Sequence, residues 1–122
     1  MCGITGWVDF THDLRKDIPQ IVAMTNKLAH RGPDSEGIWG REHVLFGHRR
    51  LAVIDLEGGK QPFEKQGYVM VYNGELYNTA ILRERLEGYG HTFSTTSDTE
   101  VLLTAFIEWR EECVTYLDGI FA

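Results

Sequence analysis

Four short runs, GIWG, HVLFGH, LAVIDL and YVMVY, follow one another between Gly37 and Tyr72, each apolar or alternating and each set off by charged or glycine-bearing breaks. Four strands in succession commit the middle of the chain to sheet, and the flanking segments must supply its cover. ITGWVDF, from Ile4 to Phe10, reads as a further strand before them. A helix is expected to start at Asp17 as cap with Pro19 in its first turn, to bury Ile21, Met24 and Leu28, and to stop at HRGPD. Asn78 caps a second helix with Leu82, Leu86 and Tyr89 on one side, ending near Gly88 and Gly90. A third begins at STTSDTE, where Ser97 and Glu100 have capping-box spacing, and it carries a stripe of Leu102, Phe106 and Trp109 with Val101 and Ala105 beside it. EGGKQPFEKQG reads as loop, and LDGIFA closes the sequence as the start of a strand, the mark of a longer polypeptide.

A chain of 122 residues suits one domain, and no repeat or Pro-rich linker divides it. Twelve Lys and Arg against 18 Asp and Glu leave a net charge of −6 with no basic stripe, so nucleic acid is not the expected partner. The first residues lack a basic and apolar leader, and no apolar run reaches membrane-spanning length; the reading is a cytoplasmic protein without a membrane partner. Cys2 and Cys113 form no pairing or zinc motif and read as free thiols, Cys113 as packing.

Cys2 is the chemically pointed residue. With Met1 removed, it carries a thiol and a free α-amine whose pKa of about 8 suits a base near neutrality, so nucleophile and base share one residue. On position alone, a small hydrophobe near a terminus is the readier explanation.

RGPD, GHRRLAVID, YNGELYN and SDTE follow MCGI in that order. Together they resemble the class II glutamine amidotransferase domain of glutamine-hydrolysing asparagine synthetases, over essentially the whole chain. The resemblance implies an α+β fold, the four-layer αββα sandwich of N-terminal nucleophile hydrolases, with residues 1–122 as the N-terminal part of the glutaminase domain and the synthetase domain beyond them. It also implies roles. Cys2 is the nucleophile and, through its amine, the base; the Asn73 side chain and Gly74 N–H form the oxyanion hole; Arg50 holds the substrate α-carboxylate; Asp98, with Glu75 close by, holds the α-ammonium group.

Each block also has a structural reading. Arg49 and Arg50 suit surface ion pairs, Asn-Gly between apolar runs is a strong type I′ hairpin signal, and Asp98 sits where a helix dipole favours a carboxylate. His30, Arg31 and Asp34 of HRGPD are assigned a structural role, as is His48; His30, Asp34, His43 and His48 have no metal-ligand spacing.

The activity implied is hydrolysis of L-glutamine to glutamate and ammonia through a Cys2 thioester, the ammonia feeding ATP-dependent asparagine synthesis from aspartate. No cofactor is expected for this domain; ATP and Mg²⁺ belong to the synthetase domain of the same polypeptide. Alternatives are the glutaminase of a class II enzyme making glucosamine 6-phosphate or phosphoribosylamine, or a noncatalytic module on the same fold. Exposed strand edges make self-association, as a homodimer, an expectation. A form retaining Met1 is expected to be inactive.

Overall fold

A computed structural model describes residues 1–52 and 57–122. Strand β1 (Gly3–Val8) is followed by a 3-10 turn at Leu14–Asp17 and helix α1 (Ile18–Asn26), then β2 (Ser35–Arg41) and β3 (Val44–Arg50). Two hairpin strands, β4 (Phe63–Lys65) and β5 (Tyr68–Met70), precede β6 (Gly74–Leu76), α2 (Thr79–Gly88), α3 (Asp98–Trp109), a second 3-10 segment (Arg110–Tyr116) and β7 (Gly119–Phe121).

The first sheet has the order β1-β3-β2, all antiparallel, with Gly3 opposite Arg49 and Ile4 opposite His48. Its register carries the pairing to within one residue of Cys2. A strand alternates its faces, so odd and even residues of β3 serve different neighbours. Leu45 packs with Leu14 and Ile21 on the α1 side, while His48 reaches the other way to the Tyr72 carbonyl. Beyond that contact, α3 covers the β4–β5 hairpin: Lys65 of β4 donates to Glu100 and Thr104, and Tyr68 of β5 meets the Phe106 ring edge-on. The order across the molecule is helix, sheet, sheet, helix.

Helix α3 is buried along Asp98–Ala105 and forms the centre of a second core with Leu82, Leu86, Val101, Ala105 and Cys113. Cys113 is therefore packing, as its sequence context suggests.

Several expected details differ. The α1 cap at Asp17 makes no side-chain bond; Asp13 caps the preceding 3-10 turn instead, because that turn takes up the chain reversal first. Met24 and Tyr89 are exposed, and Thr25 takes the buried place, its hydroxyl bonded to Ile21 O and to Thr5. Asn78 bonds Tyr116 O and the Asp118 N–H rather than capping α2. The capping box at α3 is half formed: Ser97 Oγ accepts from Glu100 N–H, but the Glu100 carboxylate turns to Ser94 and Thr95. EGGKQPFEKQG contains β4 where loop is expected, since pairing with β5 supplies the bonds that its polar composition does not advertise. LAVIDL falls largely on residues 53–56, outside the described residues.

Candidate active site

The pleat of β3 decides which arginine faces inward. Arg49 shares its face with Leu45 and bonds Gly32 O and Glu36; Arg50 shares the His48 face, is 6% exposed, and lines a cavity with Cys2. One residue of register would exchange them. The ion-pair reading thus fits Arg49, at 2.9 Å from Glu36.

Cys2 is held from two directions. Leu51 N–H donates to its Sγ at 3.4 Å, and the thiol lies 3.8 Å from Leu51 O. Arg31 Nε donates to the Cys2 carbonyl at 3.2 Å. The HRGPD segment is thereby more than a helix stop: Arg31 fixes the main chain of Cys2, and Asp34 receives Ala52 N–H while its own N–H meets Arg50 O.

Asn73-Gly74 does not make the hairpin turn its sequence favours. Asn73 N–H and C=O each bond Ala122 at 2.8 Å, and Gly74 opens β6, paired with β7. In an antiparallel ladder bonded and non-bonded pairs alternate. The bonded pairs at Asn73 and Ala122, and at Tyr77 and Asp118, leave Gly74 and Leu76 with their N–H groups directed away from β7. Leu76 N–H meets Asp98 Oδ2 at 3.3 Å; Gly74 N–H emerges on that same side. Close approach requires glycine here: a Cβ on Gly74 would overlap Ile120 O and stand 2.6 Å from Phe121 Cα. The Asn73 Oδ1 is buried without a hydrogen-bond partner, a state that costs about 1–3 kcal/mol.

Asp98 is in the first turn of α3 and 9% exposed. Tyr72 Oη donates to its Oδ2 at 3.0 Å. Burial, then the Asp98 charge beside it, pushes the Tyr72 phenol far above its ordinary range, so it remains a donor. His48 is pushed down by burial, despite its bond to Tyr72 O, and Arg50 pushes it further the same way. A neutral ring with its proton on Nε2 satisfies that carbonyl, which is the structural role expected of it.

All six predicted site residues, Cys2, Arg50, Asn73, Gly74, Glu75 and Asp98, line one cavity of about 190 Å³, with Met1 at the same wall. They come from β1's approach, β3, β6 and its lead-in, and α3. The volume is well below the roughly 300–1,000 Å³ of sites for drug-sized ligands, and suits a single small molecule. One arginine, two carboxylates, a thiol and a backbone donor are the groups that a small zwitterion with a reactive carbonyl would meet.

A family profile described as a glutamine amidotransferase domain matches residues 1–122. The chain belongs to that family. The amidotransferase chain is 56% identical to asparagine synthetase (glutamine-hydrolysing) 3 of Bacillus subtilis and 47% identical to asparagine synthetase 1 of the same organism. Each match covers 100% of this chain and 20% of the relative, so the chain spans a fifth of their length. The fold is that of a solved Bacillus subtilis glutamine phosphoribosylpyrophosphate amidotransferase, with a TM-score of 0.72, 23% identity, and coverage of 100% of this chain and 34% of that one. The expected α+β fold, with helices outside two facing sheets, is the fold found.

Tyr72 and Gln61 line the cavity of the amidotransferase domain and were not singled out by sequence. Tyr72 had a visible signal, its place just before Asn-Gly; Gln61, in a segment read as loop, had none. Among the described residues, no three His, Cys, Asp or Glu side chains converge to hold a metal ion, and no helix is long and apolar enough to cross a membrane.

Proposed function

We propose that this domain hydrolyses L-glutamine to glutamate and ammonia, with Cys2 as nucleophile once Met1 is removed. The observation that carries the reading is the convergence of Cys2, Arg50, Asn73, Gly74 and Asp98 on one small cavity. The Cys2 α-amine takes the thiol proton as sulfur adds to the γ-carbonyl carbon. The resulting oxyanion is met by the Asn73 amide N–H and the Gly74 N–H. Collapse breaks the carbon–nitrogen bond, ammonia leaves with the proton held by the amine, and a γ-glutamyl thioester remains. Water then adds to the thioester, the thiol is expelled and reprotonated, and glutamate departs. Arg50 at the α-carboxylate and Asp98 with Glu75 at the α-ammonium select a free amino acid over a glutamine within a peptide, because either charge is missing there.

Identity to asparagine synthetases supports ammonia delivery to an ATP- and Mg²⁺-dependent synthetase domain of the same polypeptide, with aspartate as acceptor. A cytoplasmic location and self-association as a dimer through exposed strand edges are proposed with it. Within residues 1–122 no step calls on a cofactor.

The test is intact mass of the full polypeptide after exposure to a glutamine-mimicking diazoketone. The expected product lacks Met1 and carries one adduct, on Cys2; an unlabelled protein, or a Met1-bearing protein hydrolysing glutamine at the clipped rate, would refute the assignment.

A further inference from the structure

Tyr72 is 3% exposed and is fastened at three points to three separate parts of the chain. Its N–H donates to Gln61 Oε1 at 2.6 Å, its carbonyl accepts from His48 Nε2 at 3.0 Å, and its hydroxyl donates to Asp98 Oδ2 at 3.0 Å. Gln61 Nε2 in turn lies 3.5 Å from the Thr99 hydroxyl, one residue beyond Asp98 on α3. Around the ring pack Leu76 and Leu102, with Met70 and Leu117 beside them. The residue directly following Tyr72 is Asn73, whose main chain is pinned to Ala122.

The two ends of the residue therefore meet two different functions of the cavity. Its side chain sets the rotamer of Asp98, and its main chain sets the approach of the Asn73-Gly74 peptide. We propose that Tyr72 is a positioning residue that holds the carboxylate for the substrate α-ammonium group and the oxyanion donors in one fixed relation, with Gln61 and His48 clamping its main chain. This rests on the glutaminase reading and adds to it the parts that keep its two halves in register.

A hydroxyl kept protonated by burial is a constant donor, so Asp98 has one fewer way to turn. The Tyr72–Asn73 peptide is likewise held at its carbonyl by His48 and at its N–H by Ala122, while Gln61 holds the peptide before it, and a misplacement near 1 Å can cost about 100-fold in rate. The two kinds of loss are separable. Removing the hydroxyl loosens recognition of the α-ammonium group; removing the Gln61 acceptor leaves a buried Tyr72 N–H unsatisfied and loosens the oxyanion hole.

The experiment is steady-state glutaminase kinetics on the clipped full polypeptide carrying Tyr72→Phe. KM for glutamine is expected to rise roughly tenfold, the loss of one bond to a charged group, with kcat changed less than about twofold. Inactivation by the diazoketone, which carries the amino acid head, should slow in parallel, whereas alkylation of Cys2 by iodoacetamide, which lacks it, should keep the wild-type rate. An unchanged KM, or equal slowing with both reagents, overturns the role. Should Tyr72→Phe fail to fold, Gln61→Met and Gln61→Glu decide the matter. The Met variant is expected to lose kcat with KM retained and the Glu variant, which keeps an acceptor, to recover most of it; equal kcat in the two overturns the clamp. Wild-type protein that neither hydrolyses glutamine nor labels at Cys2 would instead sink the glutaminase reading itself.

Discussion

Two X-Gly dipeptides stand seven residues apart, Gln66-Gly67 and Asn73-Gly74, and they exchange the roles their compositions suggest. Gln66 and Gly67 take φ of 51° and 81° and turn β4 into β5, although glutamine gains little from a left-handed conformation. Asn73-Gly74 has the better turn chemistry and stays extended, paired to β7. The difference lies in what each segment can bond to. Lys65, next to the first dipeptide, is anchored to Thr92 O, Glu100 and Thr104, which fixes β4 on α3 and makes the following residues turn. Asn73 finds Ala122, and a ladder of main-chain bonds outweighs a local turn preference. The extended state also leaves Gly74 N–H facing away from β7 toward Asp98's side.

The comparison can be broken hardest at Gly74. Gly74→Ala drives a Cβ into the Ile120 carbonyl and Phe121, so about 3 kcal/mol of stability should be lost in urea unfolding, with glutaminase kcat down by more than roughly 100-fold. Retained activity in a stable Ala variant would show that β6 and β7 separate freely. Asn73→Ala tests the same peptide without a clash: the barrier should rise by about 3 kcal/mol, while the melting temperature should hold or rise, because the deletion removes a buried Oδ1 with no hydrogen-bond partner among the described residues.

At the other dipeptide the weak point is the anchor. Glu100 is buried, and burial alone would raise its pKa, but N–H groups of Ser94 and Thr95, the Thr95 hydroxyl and Lys65 outweigh that and hold it below the ordinary range. Its folded value is depressed, so the stabilisation is complete above the unfolded glutamate pKa of about 4.3 and is lost as pH falls through the lower folded value. Glu100→Gln should cost about 2 kcal/mol at pH 7 and flatten the acid limb of the stability curve below pH of about 4.3, as read by unfolding at a series of pH values. An acid limb parallel to wild type would remove Glu100 as its source. The smallest effect belongs to Gly67→Ala: the site is open but left-handed, so about 1 kcal/mol should be lost with kcat unchanged.

These particulars show where sequence reasoning reaches. The helices, β1 to β3 and the six cavity residues were legible because periodicity marks the elements and ordered motifs mark the residues. Arg50 over Arg49 followed from resemblance, and the pleat of β3 supplies its physical reason. The paired state of Asn73-Gly74 was not legible: its partner lies some fifty positions away in sequence, and only tertiary pairing can overrule the turn signal. Gln61 and the Glu100 anchor escaped for a related cause, since a glutamine in a polar stretch and a glutamate at capping spacing each have a sufficient local explanation. Arg31 was assigned a structural role without a named partner, because its bond to Cys2 O spans 29 residues.

The double hold on Cys2, by Leu51 and Arg31, has a practical corollary. With that residue's carbonyl and sulfur already held, anything joined to its nitrogen must leave by way of Met1, which itself lines the cavity. A purification tag placed upstream would start from the cavity wall as well as cap the amine, so material for assays needs a fusion whose cleavage leaves a bare cysteine.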